Sequence, residues 1–313
     1  MPAEKPSESK RLPSPSPPKY RGRFAPSPTG PLHFGSLVAA VASYLQAKSS
    51  QGDWLVRMED LDPPREVPGS ADDILRTLDH HGLYWDESVV FQSQRHDAYH
   101  AAIDSLTQLN LTYRCSCSRK EIAEQQNTSK LSVYPGTCRN GKQKQASRYS
   151  IRVKTESLEI GFDDKILGYF GHNIGTSVGD FVLQRADGLF AYQLAVVIDD
   201  AEQGITEIVR GSDLLDNTPR QIFLQRLFGF EQPAYAHLPI AANRSGEKLS
   251  KQTFAQPVNN SPPSTNLIKA LVFLGQNPPI DLVTYELDSI WQWAREHWYL
   301  HSIPKVLKIQ LDA

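Results

Sequence analysis

Long apolar segments are missing from this chain. The longest candidate, Leu189 to Ile198, is interrupted by Gln193 and is shorter than the ~20 residues of a membrane-spanning helix. Residues 1–18 contain six prolines and four serines but no apolar block, which argues against a secretory signal peptide. We therefore expect no membrane contact, and we predict that residues 1–19 form a disordered tail.

The chain also has few cysteines and a small net charge. The three cysteines cannot form a fully paired set of disulfides, which favours a reducing cytoplasm. The formal net charge is −2, from 33 basic and 35 acidic side chains, so the chain as a whole has no field that attracts nucleic acid. Any RNA contact must therefore use a local patch.

Alternating strand and helix patterns predict an α/β protein. A strand is predicted at Tyr20 to Ala25, followed by a Pro- and Gly-rich turn and by a helix from His33 onward. A second strand, Trp54 to Met58, ends in acidic residues at the carboxyl edge of a parallel sheet, where α/β proteins bind ligands. Further helices are predicted at Ser70 to Gly82, Arg95 to Asn110 and Pro219 to Phe230.

A histidine stands where the first predicted helix begins, in the sequence His33-Phe34-Gly35-Ser36. The N-terminus of a helix attracts anions through its N–H groups and dipole, and a glycine there lets a nucleotide approach the backbone. A phosphate site is one hypothesis. A histidine that merely caps or packs the helix is the commoner alternative.

A lysine-rich loop lies far downstream, at Lys248-Leu249-Ser250-Lys251. Two lysines and a hydroxyl can neutralise a triphosphate and stabilise the charge that develops during nucleotidyl transfer. Taken alone, a solvated lysine pair on the surface is the commoner interpretation.

Together these two segments resemble the paired motifs of class I aminoacyl-tRNA synthetases. The segments that resemble the glutamyl and glutaminyl branch are Arg23 to Gly30, Glu59-Asp60 and Val209 to Leu214. Those that resemble its truncated glutamyl-Q tRNA(Asp) synthetase family are 33–36, 62–68, 92–95 and 248–252. The resemblance extends over about residues 20–275, and the 62 residues after Lys251 are too few for the helical anticodon-binding half of a full glutamyl-tRNA synthetase.

The resemblance implies a class I synthetase fold, with a Rossmann-like parallel sheet, a zinc-bearing insertion and a short helical C-terminal region. The expected domains are the tail at 1–19, the two halves of the catalytic domain at 20–110 and 176–256, the insertion at 111–175 and the C-terminal region at 257–313. The last of these would begin with a Pro- and Asn-rich link at 257–265.

The implied activity is formation of glutamyl-adenylate from L-glutamate and Mg²⁺·ATP, with transfer to the queuosine base at the wobble position of tRNA(Asp). The implied catalytic residues are His33, Lys248 and Lys251. The implied ATP-binding residues are His33, Gly35, Ser36, Lys248, Ser250 and Lys251. The enzyme is expected to act as a monomer.

Two arginines have the right chemistry to hold the two carboxylates of glutamate, since a guanidinium binds a carboxylate through two parallel hydrogen bonds. These are Arg23 and Arg210, while Glu59 could hold the α-ammonium group and Tyr192 could donate a hydroxyl. The resemblance implies that the same pocket is lined by Phe24, Ala25, Pro26 and Ser27. Singly, each of these residues could instead form a surface ion pair or pack in the core.

The cysteines lie close together in sequence, as Cys115-x-Cys117 and, after Tyr134, as Cys138. Thiolates clustered in a reducing compartment favour tetrahedral zinc, which needs a fourth ligand. The resemblance supplies Tyr134 as that ligand and implies one structural Zn²⁺. The alternative is three unligated thiols in a loop.

Basic residues follow the cysteines, from Arg139 through Lys142, Lys144 and Arg148 to Lys154. As a patch they could contact RNA, although for any single lysine a solvated face is the more ordinary interpretation. Two rival functions remain open from sequence: a compact glutamyl-tRNA synthetase that charges a tRNA 3′ end, and a non-catalytic RNA-binding relic of the fold.

Overall fold

The computed structural model describes residues 19–129, 133–141, 144–248, 257–258 and 262–311. Several predictions fall outside these residues, namely the tail at 1–18, Lys142 in the basic segment, and Leu249, Ser250, Lys251 and Gln252 of the lysine loop. Within the described residues, no helix is long and apolar enough to cross a membrane.

Strands and helices alternate along the described chain. The strands are β1 (Arg21–Phe24), β2 (Asp53–Met58), β3 (Val90–Phe91), β4 (Thr112–Cys115), β5 (Ser150–Val153), β6 (Glu159–Asp164), β7 (Gly168–Asn173), β8 (Val182–Gln184), β9 (Glu207–Gly211), β10 (Ala234–Leu238), β11 (Ile240–Ala242) and β12 (Lys308–Gln310). The α-helices are α1 (Phe34–Ser49), α2 (Ser70–His80), α3 (His96–Gln108), α4 (Arg119–Ser129), α5 (Ile174–Ser177), α6 (Tyr192–Glu202), α7 (Thr218–Phe228), α8 (Pro263–Phe273) and α9 (Leu287–Glu296). The strands predicted at β1 and β2 and the helices predicted at α1, α2, α3 and α7 are confirmed to within a few residues.

A parallel sheet forms the centre of the fold, as predicted. β1 pairs in parallel with β2, and β2 with β3, while β9 pairs in parallel with β10. Thr206, directly before β9, donates its backbone N–H to the carbonyl of Arg21 in β1 at 2.9 Å. This bond brings β9 next to β1, so the strands run in the order β3-β2-β1-β9-β10.

Both faces of this sheet are buried, because neighbouring residues of a strand point to opposite faces. In β2, Trp54 and Val56 belong to a core that also contains α1, α8 and α9 side chains. Leu55 belongs to a second core with α3, α6 and α7. The result is a layer of helices on each side of a parallel sheet, which is the Rossmann-like arrangement that the sequence predicts.

The middle of the chain forms a smaller antiparallel sheet and a hairpin. β5 lies between β4 and β8, with which it pairs in antiparallel fashion. β6 and β7 form a hairpin, and β6 also pairs in parallel with β10 at Asp164 and Tyr235. The segment 111–175 therefore contributes strands both to the small sheet, which it shares with β8, and to the edge of the central sheet.

The C-terminal region differs from its prediction in two respects. Helix α8 begins at Pro263, inside the segment predicted as a link, because proline is well suited to the first turn of a helix. The chain also returns as strand β12, which pairs in parallel with β11. Periodicity alone predicted only helices here, because a three-residue strand is too short to show alternation.

Candidate active site

One cavity of about 890 Å³ opens at the carboxyl ends of β1, β2 and β9. It brings together every described residue that the sequence suggested for glutamate and ATP. These are Arg23, Phe24, Ala25, Pro26, Ser27, His33, Gly35, Ser36, Glu59, Tyr192, Arg210 and Lys248. Ser250 and Lys251 lie outside the described residues. The placement follows from parallel pairing, since the carboxyl ends of parallel strands share one edge of the sheet.

His33 caps helix α1 from the floor of this cavity. Its Nδ1 accepts the backbone N–H of Ser36 at 3.3 Å, and its Nε2 lies 3.1 Å from the Ser36 hydroxyl. A side chain at Gly35 would come within 3.2 Å of the His33 ring. A larger residue at Gly35 would therefore make the imidazole shift by a few tenths of an ångström, in addition to hindering any approach of a nucleotide. The capping alternative and the phosphate hypothesis are compatible, because the capped end still faces the cavity.

The lysine loop begins and ends beside the cavity. Lys248, at the start of the loop, forms an isolated antiparallel β-bridge with Ala242. Its ammonium group lies 2.5 Å from the carboxylate of Asp213. Beyond the segment 249–256, Pro257 pairs with His33, and Val258 donates its N–H to the Leu32 carbonyl at 2.7 Å. The two ends of this segment are thus fixed on the walls that carry Asp213 and His33.

Arg23 lies in an ion-pair cluster beneath the cavity. Its guanidinium reaches both oxygens of Asp200, at 3.0 and 3.4 Å. Arg57, fully buried in β2, lies 2.8 Å from Asp200 and 3.5 Å from Glu59. Burial acts to raise the pKa of Asp200, but the charges of Arg23 and Arg57 lower it below its usual value. Arg23 thus already has an internal carboxylate partner, which sequence reasoning did not anticipate.

Glu59 differs from Asp200 in how well it is paired. Burial raises the pKa of its carboxyl, against the lowering effect of Arg57 and Arg23. Its contact with Arg57 is long, and the side chain lines the cavity. Additional positive charge at this point, such as an ammonium group, would lower this pKa and favour the charged carboxylate.

Arg210 is the buried cation of the cavity whose hydrogen-bond partners are all neutral. Its Nε donates to Nε2 of His237 at 3.2 Å, one Nη to the Thr218 hydroxyl at 2.8 Å, and the other to the Tyr192 hydroxyl at 3.3 Å. Among the residues that the structure describes, no ion pair joins Arg210 to a carboxylate. A buried guanidinium in this state is complementary to a carboxylate supplied by a ligand.

Several residues that shape the cavity escaped the sequence analysis. Four of them, Arg57, Asp199, Asp200 and His237, are charged or titratable residues within largely apolar strands or helices. Such residues are seldom buried without a partner, so their positions in apolar segments were a usable indication. The fifth, Asp164, lies at the acidic end of β6 and has no such signal.

The three cysteines converge at the insertion. Their sulfur atoms lie within 4.8 Å of one another, and those of Cys117 and Cys138 are 3.5 Å apart. The Tyr134 hydroxyl lies 3.3 Å from the Cys115 sulfur and 3.6 Å from that of Cys117. Ligands of a tetrahedral zinc with bonds of ~2.3 Å are spaced by about 3.8 Å, so these donor atoms fit the ion.

A cation lies against this cluster. The Arg152 guanidinium is 3.9 Å from the centre of the Tyr134 ring and donates to the Asp180 carbonyl at 2.8 Å. Burial acts to raise the pKa of the Cys115 thiol, yet hydrogen bonds with Tyr134 and Arg152 lower it to about 7. The opposite holds for Cys117, since burial and the neighbouring thiols raise its pKa to about 11. Of these two thiols, Cys115 therefore more readily forms the thiolate, the form that binds metals.

The basic segment after the cysteines is partly neutralised within the protein. Arg139 pairs with Asp180 at 2.5 Å, Lys144 pairs with Glu121, and Lys154 donates to the Asn110 carbonyl at 2.8 Å. Arg148 is exposed. The segment has no acid within it, but Glu121 of the insertion and Asp180, which follows the insertion, reach it.

Comparison with known proteins defines the class. The family model of the tRNA synthetases class I (E and Q), catalytic domain, matches residues 19–276. A glutamate tRNA ligase from Elizabethkingia meningosepticum, solved in complex with its amino acid, superimposes with a TM-score of 0.78 at 27% identity. That alignment covers 95% of this chain and 68% of the ligase. The chain therefore belongs to the class I tRNA synthetases of the E and Q type.

Similar sequences identify the family within this class. The glutamyl-Q tRNA(Asp) synthetase of Dechloromonas aromatica (strain RCB) is 54% identical over 297 residues, which are 94% of this chain and 99% of that protein. The protein of the same name from Chromobacterium violaceum is 51% identical over 286 residues, which are 91% of this chain and 95% of that protein. Within the class, the chain belongs to the glutamyl-Q tRNA(Asp) synthetase family, as its motifs predicted.

Proposed function

We propose that this protein activates L-glutamate with ATP and transfers it to the queuosine base of tRNA(Asp). The observation that carries the proposal is the buried Arg210, whose described partners are neutral, on the wall of the cavity that also contains His33 and Lys248. A carboxylate site at Arg210 and a phosphate site at His33 and Lys248 would thus share one cavity. Relatives at 51–54% identity carry the name of this activity.

In the first step, an oxygen of the glutamate α-carboxylate attacks the α-phosphorus of ATP, and the bond to pyrophosphate breaks. Class I synthetases use ATP with Mg²⁺, which neutralises the phosphates. Arg210 would hold the side-chain carboxylate and Glu59 the α-ammonium group. His33 at the start of α1, with Gly35 and Ser36, would bind phosphate oxygens, while Lys248, Ser250 and Lys251 would stabilise the charge on the leaving pyrophosphate.

In the second step, a hydroxyl oxygen of the RNA attacks the carbonyl carbon of glutamyl-adenylate. The bond to phosphate breaks, AMP leaves, and the hydroxyl proton passes to solvent. No covalent enzyme intermediate is needed.

Zinc is part of the proposal as a structural ion. Cys115, Cys117, Tyr134 and Cys138 would hold it, and the ion would link β4 to the loop that contains Tyr134 and Cys138. With four protein ligands the site would leave no position for water, so no catalytic step involves it. The exposed Arg148 and its neighbours, presented by this insertion, remain the proposed contact with RNA phosphates. A monomer in the cytoplasm belongs to the same proposal.

Glutamate-dependent ATP–pyrophosphate exchange without RNA tests the first step. We expect exchange with glutamate and not with aspartate or glutamine, and we expect Lys251→Ala to reduce it nearly to background. Absence of exchange with any amino acid would favour a non-catalytic relic. Unchanged exchange in Lys251→Ala would contradict the role of that lysine.

Transfer is tested with radiolabelled glutamate and tRNA(Asp) that carries or lacks queuosine. Ribonuclease T1 fragments then locate the label. Label in the anticodon fragment of the modified tRNA supports the proposal. Label on the 3′ terminal fragment of either tRNA would instead identify a compact glutamyl-tRNA synthetase.

A further inference from the structure

Arg210 and His237 are register partners on the neighbouring parallel strands β9 and β10. Alternation along β9 directs Arg210 to the same face as Ile208, and along β10 it directs His237 to the same face as Tyr235. The two side chains therefore meet behind the cavity, where His237 is fully buried and Arg210 is nearly so.

The hydrogen bond between them determines the state of the imidazole. An arginine guanidinium only donates, so in this hydrogen bond Nε2 of His237 accepts and carries no proton. The Thr218 hydroxyl also lies 3.2 Å from Nε2, and a hydroxyl can donate to an unprotonated nitrogen. The proton of the neutral ring is then on Nδ1, which lies 2.6 Å from the Asp164 carboxylate. Burial lowers the pKa of His237, and the Arg210 charge acts in the same direction, which is consistent with a neutral ring.

Asp164 is itself held firmly. Its carboxylate accepts the backbone N–H groups of His237, Ile166 and Leu167 at 2.9–3.2 Å, besides the imidazole. Burial acts to raise the pKa of Asp164, but the hydrogen bonds from His237 and the backbone lower it. A fixed acceptor at Nδ1 fixes the tautomer, and the tautomer leaves Nε2 as an acceptor that faces Arg210.

We propose that Asp164 and His237 are positioning residues that aim the Arg210 guanidinium at the substrate. They do so through a neutral imidazole, which orients the guanidinium without neutralising its charge. Thr218 completes the arrangement by accepting from a second nitrogen of Arg210. The inference rests on the proposed function, because it assigns these residues to recognition of the glutamate side-chain carboxylate.

A neutral intermediary has a chemical consequence. If a carboxylate paired directly with Arg210, as Asp200 does with Arg23, a substrate carboxylate would find the cation already neutralised. Because His237 lies between them, the negatively charged carboxylate of Asp164 does not contact Arg210 directly. The guanidinium keeps its preference for a charged ligand, so glutamate should be favoured over glutamine.

Two substitutions at one position separate positioning from packing. His237→Asn keeps an N–H near the Nδ1 position for Asp164 but has no group that reaches Arg210. His237→Gln can place its amide oxygen near the Nε2 position and accept from Arg210. We expect His237→Asn to raise the KM for glutamate by roughly 10-fold or more, the size of a lost charge-assisted hydrogen bond, and His237→Gln to restore much of the loss. The KM for ATP should change less than about twofold in both variants.

Tyr235→Phe is the matched control. Tyr235 lies on the same strand and face as His237. The substitution removes its buried hydroxyl, which accepts from Gln225 of α7, and leaves the hydrogen bonds of Arg210 intact. The KM of this variant for glutamate should equal that of the unmodified protein. An equal rise in Tyr235→Phe, or an unchanged KM in a folded His237→Asn, would overturn the proposal. If His237→Asn does not fold, Asp164→Asn provides the same test. We expect it to raise the KM for glutamate, because an amide donor at this position would favour the imidazole tautomer that carries its proton on Nε2.

Nitrogen-15 NMR of histidine-labelled protein tests the tautomer without any substrate. At pH 7.5 we expect His237 to carry its proton on Nδ1, and a ring protonated on Nε2 or on both nitrogens would overturn the inference. This measurement separates the two hypotheses: absence of glutamate-dependent exchange in the unmodified protein contradicts the proposed function, whereas the NMR result bears on His237 alone.

Discussion

Arg23 Nε lies 3.0 Å from Oδ1 of Asp200, in a pair whose side chains are 3% and 5% exposed. Arg210 faces the same cavity without such a partner among the described residues. The two arginines that sequence analysis treated as equivalent therefore differ in their electrostatic state, and substitution should have different consequences at the two positions.

Arg23→Gln should destabilise the protein, because it leaves part of the Asp200 charge buried without compensation. A loss of roughly 3 kcal/mol in the free energy of unfolding is expected, less than for an isolated charge since Arg57 remains. Arg210→Gln should change this free energy by less than about 1 kcal/mol but reduce kcat/KM for glutamate by roughly 100-fold. Urea unfolding and pyrophosphate exchange measure the two effects, and equal destabilisation of both variants would contradict the distinction.

The stability of the protein should fall as the pH drops below about 6.5, the ordinary pKa of histidine. Burial lowers the pKa of His237 in the folded state, so the unfolded chain binds a proton that the folded chain does not. His81 acts in the same direction, and Glu59, whose pKa is raised by burial, acts in the opposite one.

The difference between the unmodified protein and His237→Gln isolates this contribution. Unfolding free energies at pH 7.5 and 5.5 should show a smaller decrease in the variant. The same decrease in both proteins would mean that His237 is protonated within its buried site.

Zinc content should depend on the cysteine cluster. We expect about one zinc per chain, its loss in Cys138→Ser, and weaker retention against a chelator in Tyr134→Phe, which keeps the three sulfurs. Metal analysis after gel filtration measures this, with thermal unfolding as a second readout. Exchange without RNA should survive in these variants because the cluster lies outside the cavity. Full zinc retention in Cys138→Ser would contradict the assignment of that ligand.

Asp213 should affect the KM for ATP more than the free energy of unfolding. Its pair with Lys248 is partly exposed, so it contributes at most about 1 kcal/mol to folding. Asp213→Asn should leave the unfolding free energy almost unchanged and raise the KM for ATP several-fold, because it removes the group that orients the Lys248 ammonium. Kinetics with varied ATP at saturating glutamate measure the effect, and a change confined to the KM for glutamate would contradict it.

Local patterns predicted the elements around the site because the relevant interactions are local. The proline-rich turn, the start of α1 and the acidic end of β2 are each determined within a few neighbouring residues, and parallel pairing then brings them to one edge. Trp54 and Val56 alternate with Leu55 as a strand with two buried faces requires.

Long-range partners could not be predicted in this way. Nothing near Arg23 in sequence indicates Asp200, and the Asp164 carboxylate reaches His237 across 73 residues. The pairing of β11 with β12 likewise joins segments that are far apart in the chain. Such contacts depend on which strands become neighbours, and a local pattern carries no information about that.

The same pairing has a consequence for biosynthesis. β11 leads directly into the hairpin at Lys248, while its partner β12 is translated more than sixty residues later, at Lys308–Gln310. Because chains generally fold from their N-terminal part as they emerge, the β1–α1–β2 unit can form early, whereas the base of the lysine loop must wait for the final strand. The residues proposed to bind glutamate, up to Arg210 in β9, would therefore all be translated before the strand that supports the base of the lysine loop.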